Sequence, residues 1–318
     1  MKKYALAVDF GGTITKIGLF CEGKLLHFET FPSQTTEPFQ KVLEEMKRQF
    51  QALLQKEGSD WSQCIGLGIS LPGIVDNKRR RLISVNKKYS SAVEFDIEGW
   101  VTEHLGLAVI VENDANAALM GEYATGTTKG ADYAALFILG TGVGTAAMLE
   151  GKLIRGAHHQ AGCLGGHLII DYKGRACNCG SIGCLEAQAS TWALPEIAKN
   201  DRDFYMSSLA EVKELKIRQL VEHARLGDGF SKKLLNAFIE RWSAGIINLV
   251  HAYDPEVVVL SGGVMKAGDI LTKPLIERVQ KFAWTPYGTV NIVISENPEQ
   301  SGLYGLDHLI KQAVTLNQ

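Results

Sequence analysis

Tyr4-Ala-Leu-Ala-Val-Asp9-Phe-Gly11-Gly12-Thr13 ends an apolar run in a glycine turn, and Ala134-Ala-Leu-Phe-Ile-Leu139-Gly140-Thr141-Gly142 repeats the device in the second half of the chain. A second apolar run follows each turn, at 15–21 and at 143–149, so each stretch reads as a strand hairpin. In the first half, residues 24–31 add a third strand after Glu22-Gly23. Residues 38–57 form a helix, because Phe39, Val42, Leu43, Met46, Phe50, Leu53 and Leu54 share one face. Residues 64–71 are a buried strand running into Leu71-Pro72-Gly73, and residues 107–113 are another, followed by the helical pattern Ala115–Tyr123. In the second half a helix-rich stretch spans about 190–252, and Val257–Leu260 is a buried strand ending in Ser261-Gly262-Gly263. Residues 302–314 make an apolar helix whose natural place is back against the first unit. Two similar α/β domains flanking a cleft are therefore predicted, with boundaries 1–116 plus 301–318 and 117–300.

The bulk numbers agree with such an enzyme-like chain. At 318 residues it is long for one core and suits two domains. Apolar residues make up 46% and charged residues 21%, and the net charge of -2 offers no footprint for nucleic acid or membrane surfaces. Asp9 stops the first apolar run short of the roughly 7–15 residues of a signal-peptide core. The uncharged stretch from Tyr133 to Leu149 contains alternating glycines and reads as strand–turn–strand rather than a membrane span. Six cysteines show no disulfide framework, which points to a reducing cytoplasm.

The turns carry the first chemistry. The glycines of Asp9-Phe-Gly11-Gly12-Thr13 leave backbone N–H groups free to face phosphate oxygens. Thr13 adds a hydroxyl donor, and Asp9 can hold the waters of Mg²⁺. Gly140-Thr141-Gly142 offers a second such turn, and Gly262-Gly263 a third after a buried strand. A plain hairpin turn explains any one of them alone. Glu112-Asn113-Asp114-Ala-Asn116 lies where a strand meets a helix; Asp114 is either a helix N-cap or a carboxylate poised for proton transfer.

Gly-rich chemistry of another kind lies between residues 167 and 186. His167, Cys177, Cys179 and Cys184, in a Cys-x-Cys-x4-Cys pattern with histidine ten residues upstream, form an N/S set suited to a closed tetrahedral Zn²⁺ site. The other reading is three reduced thiols near a histidine. Four protein ligands would leave no open position, so such a metal would be structural.

Taken together, Asp9-x-Gly-Gly-Thr13, Glu112-Asn-Asp114-Ala-Asn116, Gly140-Thr-Gly-Val-Gly144, Gly166-His167 with the three cysteines, and Leu260-Ser-Gly-Gly263 resemble the ROK family of bacterial sugar kinases and sugar-responsive repressors, within the actin-like ATPase superfamily of ribonuclease H-like fold. The resemblance covers nearly the whole chain and is most specific at Gly183-Cys184-Leu185-Glu186. It implies an ATP-dependent kinase for a hexose or hexose derivative, using Mg²⁺ with ATP and structural Zn²⁺. Asp114 would be the general base, and Gly73, Asn86, Asn113, Asp114, His167 and Glu186 would contact the sugar. Asp9, Gly11, Gly12, Thr13, Gly140, Thr141, Gly142, Gly262 and Gly263 would hold the nucleotide. His167 would serve twice, one ring nitrogen on zinc and the other toward the sugar. A homodimer or higher homo-oligomer is also implied.

The chain departs from the family pattern in two places. Leu164 stands where most family kinases carry a sugar-binding glutamate three residues before the zinc histidine, and a register shifted by one glycine puts Cys163 there instead. The tryptophan that commonly follows the family's sugar-contact asparagine is absent after Asn86. Arg79-Arg80-Arg81 reads as a solvated turn. A kinase for an undetermined sugar is expected. The alternatives are a sugar-sensing regulator and a non-catalytic sugar-binding relative.

Overall fold

The computed structural model describes residues 2–128 and 130–316; the ends of the two expected boundary ranges, at 1 and at 317–318, lie outside them. The chain divides into two compact units, Met1–Gly130 with Arg155–Ala161 and Asn297–Gln318, and Ala131–Ile154 with Gly162–Glu296.

The first unit is built on strands β1 (Tyr4–Phe10), β2 (Ile14–Cys21), β3 (Lys24–Pro32), helix α1 (Phe39–Lys56), strands β4 (Cys64–Leu71), β5 (Ile74–Asp76) and β6 (Arg81–Ser84), helix α2 (Ile97–Leu105), strand β7 (Val109–Asn113) and helix α3 (Asp114–Thr125). Its five-stranded sheet runs β3-β2-β1-β4-β7, with β1, β2 and β3 antiparallel and β1, β4 and β7 parallel. β1 is buried almost throughout, which is why it reads as a continuous apolar run and not as an alternating one. The apolar face of α1 packs its seven periodic side chains into the core with Leu6, Val8 and Phe10 of β1.

The C-terminal helix, Ser301–Leu316, belongs to this unit and covers the sheet with Leu303, Leu306 and Ile310. Each such fully buried aliphatic side chain contributes about 1.5–3 kcal/mol relative to exposure. The helix also lies close against α3, so that a Cβ on Gly121 would meet the Ser301 carbonyl and one on Gly305 the Ala117 carbonyl. That packing keeps α3 with the first unit, past the expected boundary at 116.

The second unit repeats the plan. Strands β8 (Ala134–Leu139), β9 (Val143–Leu149) and β10 (Lys152–Leu153) are followed by helices α4 (Leu185–Ala189), α5 (Leu194–Lys199), α6 (Ile217–Arg225) and α7 (Gly229–Tyr253), then strand β11 (Val257–Ser261), helix α8 (Asp269–Phe282) and strand β12 (Asn291–Ile294). The sheet order β10-β9-β8-β11-β12 has the same alternation of antiparallel and parallel pairs as the first. The core behind it is filled by α6, α7 and α8 around the fully buried Trp242. No helix among the described residues is long and apolar enough to cross a membrane.

Candidate active site and metal centre

In the first unit the β1–β2 turn and the start of α3 carry the predicted groups. Asp9 is the last polar residue of β1; its Oδ2 accepts from Lys16 Nζ at 3.1 Å, directly across on β2, and its Oδ1 from Ser70 Oγ at 2.8 Å on β4. The turn beyond it is anchored through the Gly11 carbonyl, which accepts from Ser33 Oγ at 2.7 Å and from the hydroxyl of buried Tyr89 at 2.9 Å. Thr13 is exposed, and its carbonyl accepts from Ser33 N at 3.1 Å.

Asp114 is the first residue of α3, and the cap is Asn113, whose Oδ1 accepts from Asn116 N at 3.1 Å. Of the two readings open to Asp114 in the sequence, the N-cap therefore falls to its neighbour. The Asn113 amide also donates to the Gly73 carbonyl and to Asp114 Oδ1, both at 2.9 Å. With Ala115 N also on Oδ1 at 2.9 Å, Oδ2 is the oxygen that can take a proton from a ligand. Asp114 keeps a solvent-facing surface, but surrounding protein removes much of the bulk water. That desolvation, helped by the charge of Asp9, pushes its pKa up to about 6.

The start of α3 is braced from below. Buried Glu112 accepts from Asn113 N and Asn116 Nδ2 through Oε1, both at 3.0 Å. Through Oε2 it accepts from Arg155 Nε at 3.0 Å and Nη2 at 2.6 Å. Arg155 comes from the short Arg155–Ala161 excursion that rejoins this unit, and His159 of the same excursion lies 3.2 Å from Asp76. Glu112 enters the sequence reading only as part of its motif, with no role, and Lys16, Ser70 and Arg155 are absent from it; the partners of Ser70 and Arg155 lie 61 and 43 positions away. Asn86 is exposed on the 86–89 segment, and its carbonyl accepts from Lys88 N at 2.8 Å. The three arginines are solvated as expected, Arg80 pairing with Glu98 at 2.7 Å and Arg79 only loosely with Asp76 at 3.9 Å.

In the second unit the structure gathers Gly140, Thr141, Gly142, Gly262, Gly263 and Glu186. Ser261 pairs with Ile138, so Gly262 (φ +95°) follows β11 directly beside the Leu139 carbonyl. Glu186 of α4 accepts from Val143 N at 2.9 Å and from Trp192 Nε1 at 3.1 Å. A Cβ on Gly142 would strike that carboxylate, so the close approach requires glycine. Thr191 Oγ1 donates to the Gly140 carbonyl at 2.6 Å and Trp192 N to the Thr141 carbonyl at 3.2 Å. The carboxylate expected on sugar hydroxyls thus also shapes the glycine turn.

His167 ends a short 3-10 turn, Gly165–His167, that packs under β9. Its Nδ1 lies 3.6 Å from Cys177 Sγ, Cys179 and Cys184 sulfurs are 3.6 Å apart, and one ligand atom from each of the four residues falls within 4.8 Å of every other. Tetrahedral coordination at zinc–sulfur bonds of about 2.3 Å requires sulfurs roughly 3.8 Å apart, so this set fits the ion. Burial, reinforced by the neighbouring sulfurs, pushes the Cys184 thiol up to about 12. Thiolates crowded in this way call for a cation to hold them deprotonated. Nδ1 faces the sulfurs, leaving Nε2 for another partner. Leu164 caps the Gly165–His167 turn and, like Cys163, is half-buried, so neither register supplies a carboxylate there.

This constellation has relatives. The ROK family model matches residues 5–313. The chain belongs to the ROK family. A glucokinase from Thermotoga maritima is 29% identical over 316 residues, 97% of this chain and 98% of the relative. A ROK hexokinase from Thermus thermophilus has the same fold with a TM-score of 0.83 at 28% identity, over 99% of both chains. A ROK glucokinase from Streptomyces griseus, solved with glucose and AMPPNP, gives 0.78 at 28% identity over 97% of this chain and 99% of that one. The two α/β units of one topology are accordingly those of the actin-like ATPase fold found in ROK sugar kinases.

One pH effect follows from the raised Asp114 pKa. A base works as the carboxylate, so its function is present above the pKa and lost as pH falls through it. At sub-saturating Mg-ATP, kcat/KM for the sugar is expected to fall about tenfold per unit below roughly pH 6. A profile flat down to pH 5 would exclude Asp114 as the titrating base.

Proposed function

We propose that this chain is an ATP-dependent sugar kinase that phosphorylates a hydroxyl of a hexose or hexose derivative, with Asp114 as general base. The observation that carries the reading is Asp114 itself, held through Oδ1 at the start of α3 with a face open to solvent and its pKa raised to about 6 by desolvation and the charge of Asp9. In the reaction the acceptor oxygen forms a bond to the γ-phosphorus as the bond from that phosphorus to the β,γ-bridging oxygen breaks. The hydroxyl proton passes to Asp114, and ADP leaves with the electron pair. Gly11 N already donates to the Asp9 carbonyl at 3.0 Å, so the backbone N–H groups of Gly12 and Thr13 are the ones proposed to receive phosphate oxygens, with Gly140 to Gly142 and Gly262-Gly263 serving the nucleotide as well. Bound with ATP, Mg²⁺ would neutralise phosphate charge, and Asp9 would hold its waters. Zn²⁺ on His167, Cys177, Cys179 and Cys184 would cross-link the loop that carries Glu186, the proposed acceptor for sugar hydroxyls, and His167, whose Nε2–H would donate to a sugar oxygen.

Glucose is the first sugar to try, because the relatives named above include glucokinases. Leu164 favours a second reading, a sugar-binding relative without turnover. An apolar group there leaves buried sugar hydroxyls unpaired, at about 1–3 kcal/mol each. Coupled ADP release over glucose, mannose, fructose, allose and N-acetylated hexosamines, with ATP and then polyphosphate as donor, separates the two. Turnover on at least one sugar supports the kinase; ligand-induced stabilisation with no turnover on any supports the binding protein. Six cysteines outside any disulfide fit a reducing compartment such as the cytoplasm, and self-association as a homodimer or larger homo-oligomer completes the proposal.

A further inference from the structure

The β1–β2 turn has a visitor that no motif announces. The side chain of Lys88 lies across Gly12 so closely that a Cβ on Gly12 would overlap its ammonium and its two terminal methylenes. Lys16, the other lysine near the turn, is already paired with Asp9. Among the described residues Lys88 has no carboxylate or carbonyl partner for its ammonium, although it is half-buried.

The backbone around Lys88 is held in an unusual way. Lys87 (φ +66°) and Tyr89 (φ +54°) both occupy the left-handed region, which costs a non-glycine residue energy and persists only where the surroundings enforce it. The enforcement is visible in Tyr89. Its ring is fully buried beside Phe10 and Phe39, its N–H donates to the Thr35 carbonyl at 2.8 Å, and its hydroxyl donates to the Gly11 carbonyl at 2.9 Å. The segment carrying Lys88 is thereby bolted to the same turn its ammonium covers.

We propose that Lys88 is a catalytic residue that contacts the transferred phosphoryl group of the nucleotide. This rests on the reading of Gly11-Gly12-Thr13 as a phosphate turn. An unpaired cation lying over the Gly12 backbone is a preorganised site for charge that develops on the equatorial oxygens as the acceptor–phosphorus bond forms and the bridging bond breaks. Because the contact strengthens in the transition state, its loss should appear in kcat more than in the KM for sugar.

Lys88→Met, Lys88→Arg and, as a probe of the turn, Thr13→Val should be assayed with Mg-ATP and the best sugar of the panel, with thermal melts to establish folding. Lys88→Met is expected to lose about 10²-fold in kcat, with the sugar KM within about threefold of wild type, and Lys88→Arg to recover about tenfold of that loss. A folded Lys88→Met with kcat within threefold of wild type overturns the assignment. If Thr13→Val still raises the Mg-ATP KM in that case, only the role of Lys88 fails. If Thr13→Val is also silent, Gly12→Ala decides the turn, since its Cβ crowds the space above the backbone donors, and an unchanged Mg-ATP KM in that variant overturns the phosphate-turn reading.

Discussion

Replacing Asp114 by asparagine is expected to lower kcat by about 10³-fold while leaving the sugar KM within a few-fold of wild type. Asparagine keeps the size of the side chain and can still accept from Ala115 N, so α3 should start as before. The brace beneath it is untouched, since Glu112 holds Asn113 and Asn116 through its own carboxylate. What disappears is the ability to take the hydroxyl proton as phosphorus–oxygen bond formation advances. The small change in KM distinguishes this effect from a binding defect, and an unchanged melting temperature distinguishes it from misfolding. A variant retaining a rate within a few-fold of wild type would place the base elsewhere.

The second large effect concerns the metal. Cys184 is fully buried at the centre of the His167–Cys177–Cys179–Cys184 set, and its backbone begins α4, which carries Glu186. Cys184→Ser is expected to reduce zinc from one ion per chain to near zero by elemental analysis. An ion present at a thousand times its dissociation constant stabilises a fold by about 4 kcal/mol. Its loss should therefore lower the melting temperature by roughly 6 °C in a chain of this size. Sugar binding should weaken more than nucleotide binding, because His167 and Glu186 lose their support while Asp9 and the β1–β2 turn lie in the other unit. Full activity in wild-type protein carrying no zinc would contradict this role.

The sequence was most readable where structure follows local periodicity. β1 to β3, α1, β4, β8 and β9 all lie within a residue or so of their expected limits, because apolar runs and a seven-residue helical face signal them directly. Shorter elements escaped. α2 has a readable cap in Asp96, whose carboxylate accepts from Gly99 N, and a stop in Gly106, but its nine residues give too little periodicity. β12 has four residues, none fully buried, so no apolar run marks it.

The site divides along the same line. Asp9, Asp114, the glycine turns and the His/Cys set sit in compact motifs, and the structure gathers each group locally. The bracing of Glu112 by Arg155 joins residues 43 apart, and the Tyr89 hydroxyl reaches a carbonyl 78 positions away. Charge and hydroxyl partners at such separations leave no local pattern. Lys88 is a further case: one lysine beside another reads as a solvated stretch until Gly12 is seen beneath it.

The most direct measurement is transfer of label from γ-³²P ATP to glucose and the other panel sugars, with ADP quantified in the same samples and Asp114→Asn run alongside. One labelled sugar phosphate per ADP from wild type, and almost none from the variant, is the expected result. ADP released without sugar phosphate, or equal transfer by both proteins, would contradict a sugar kinase working through Asp114.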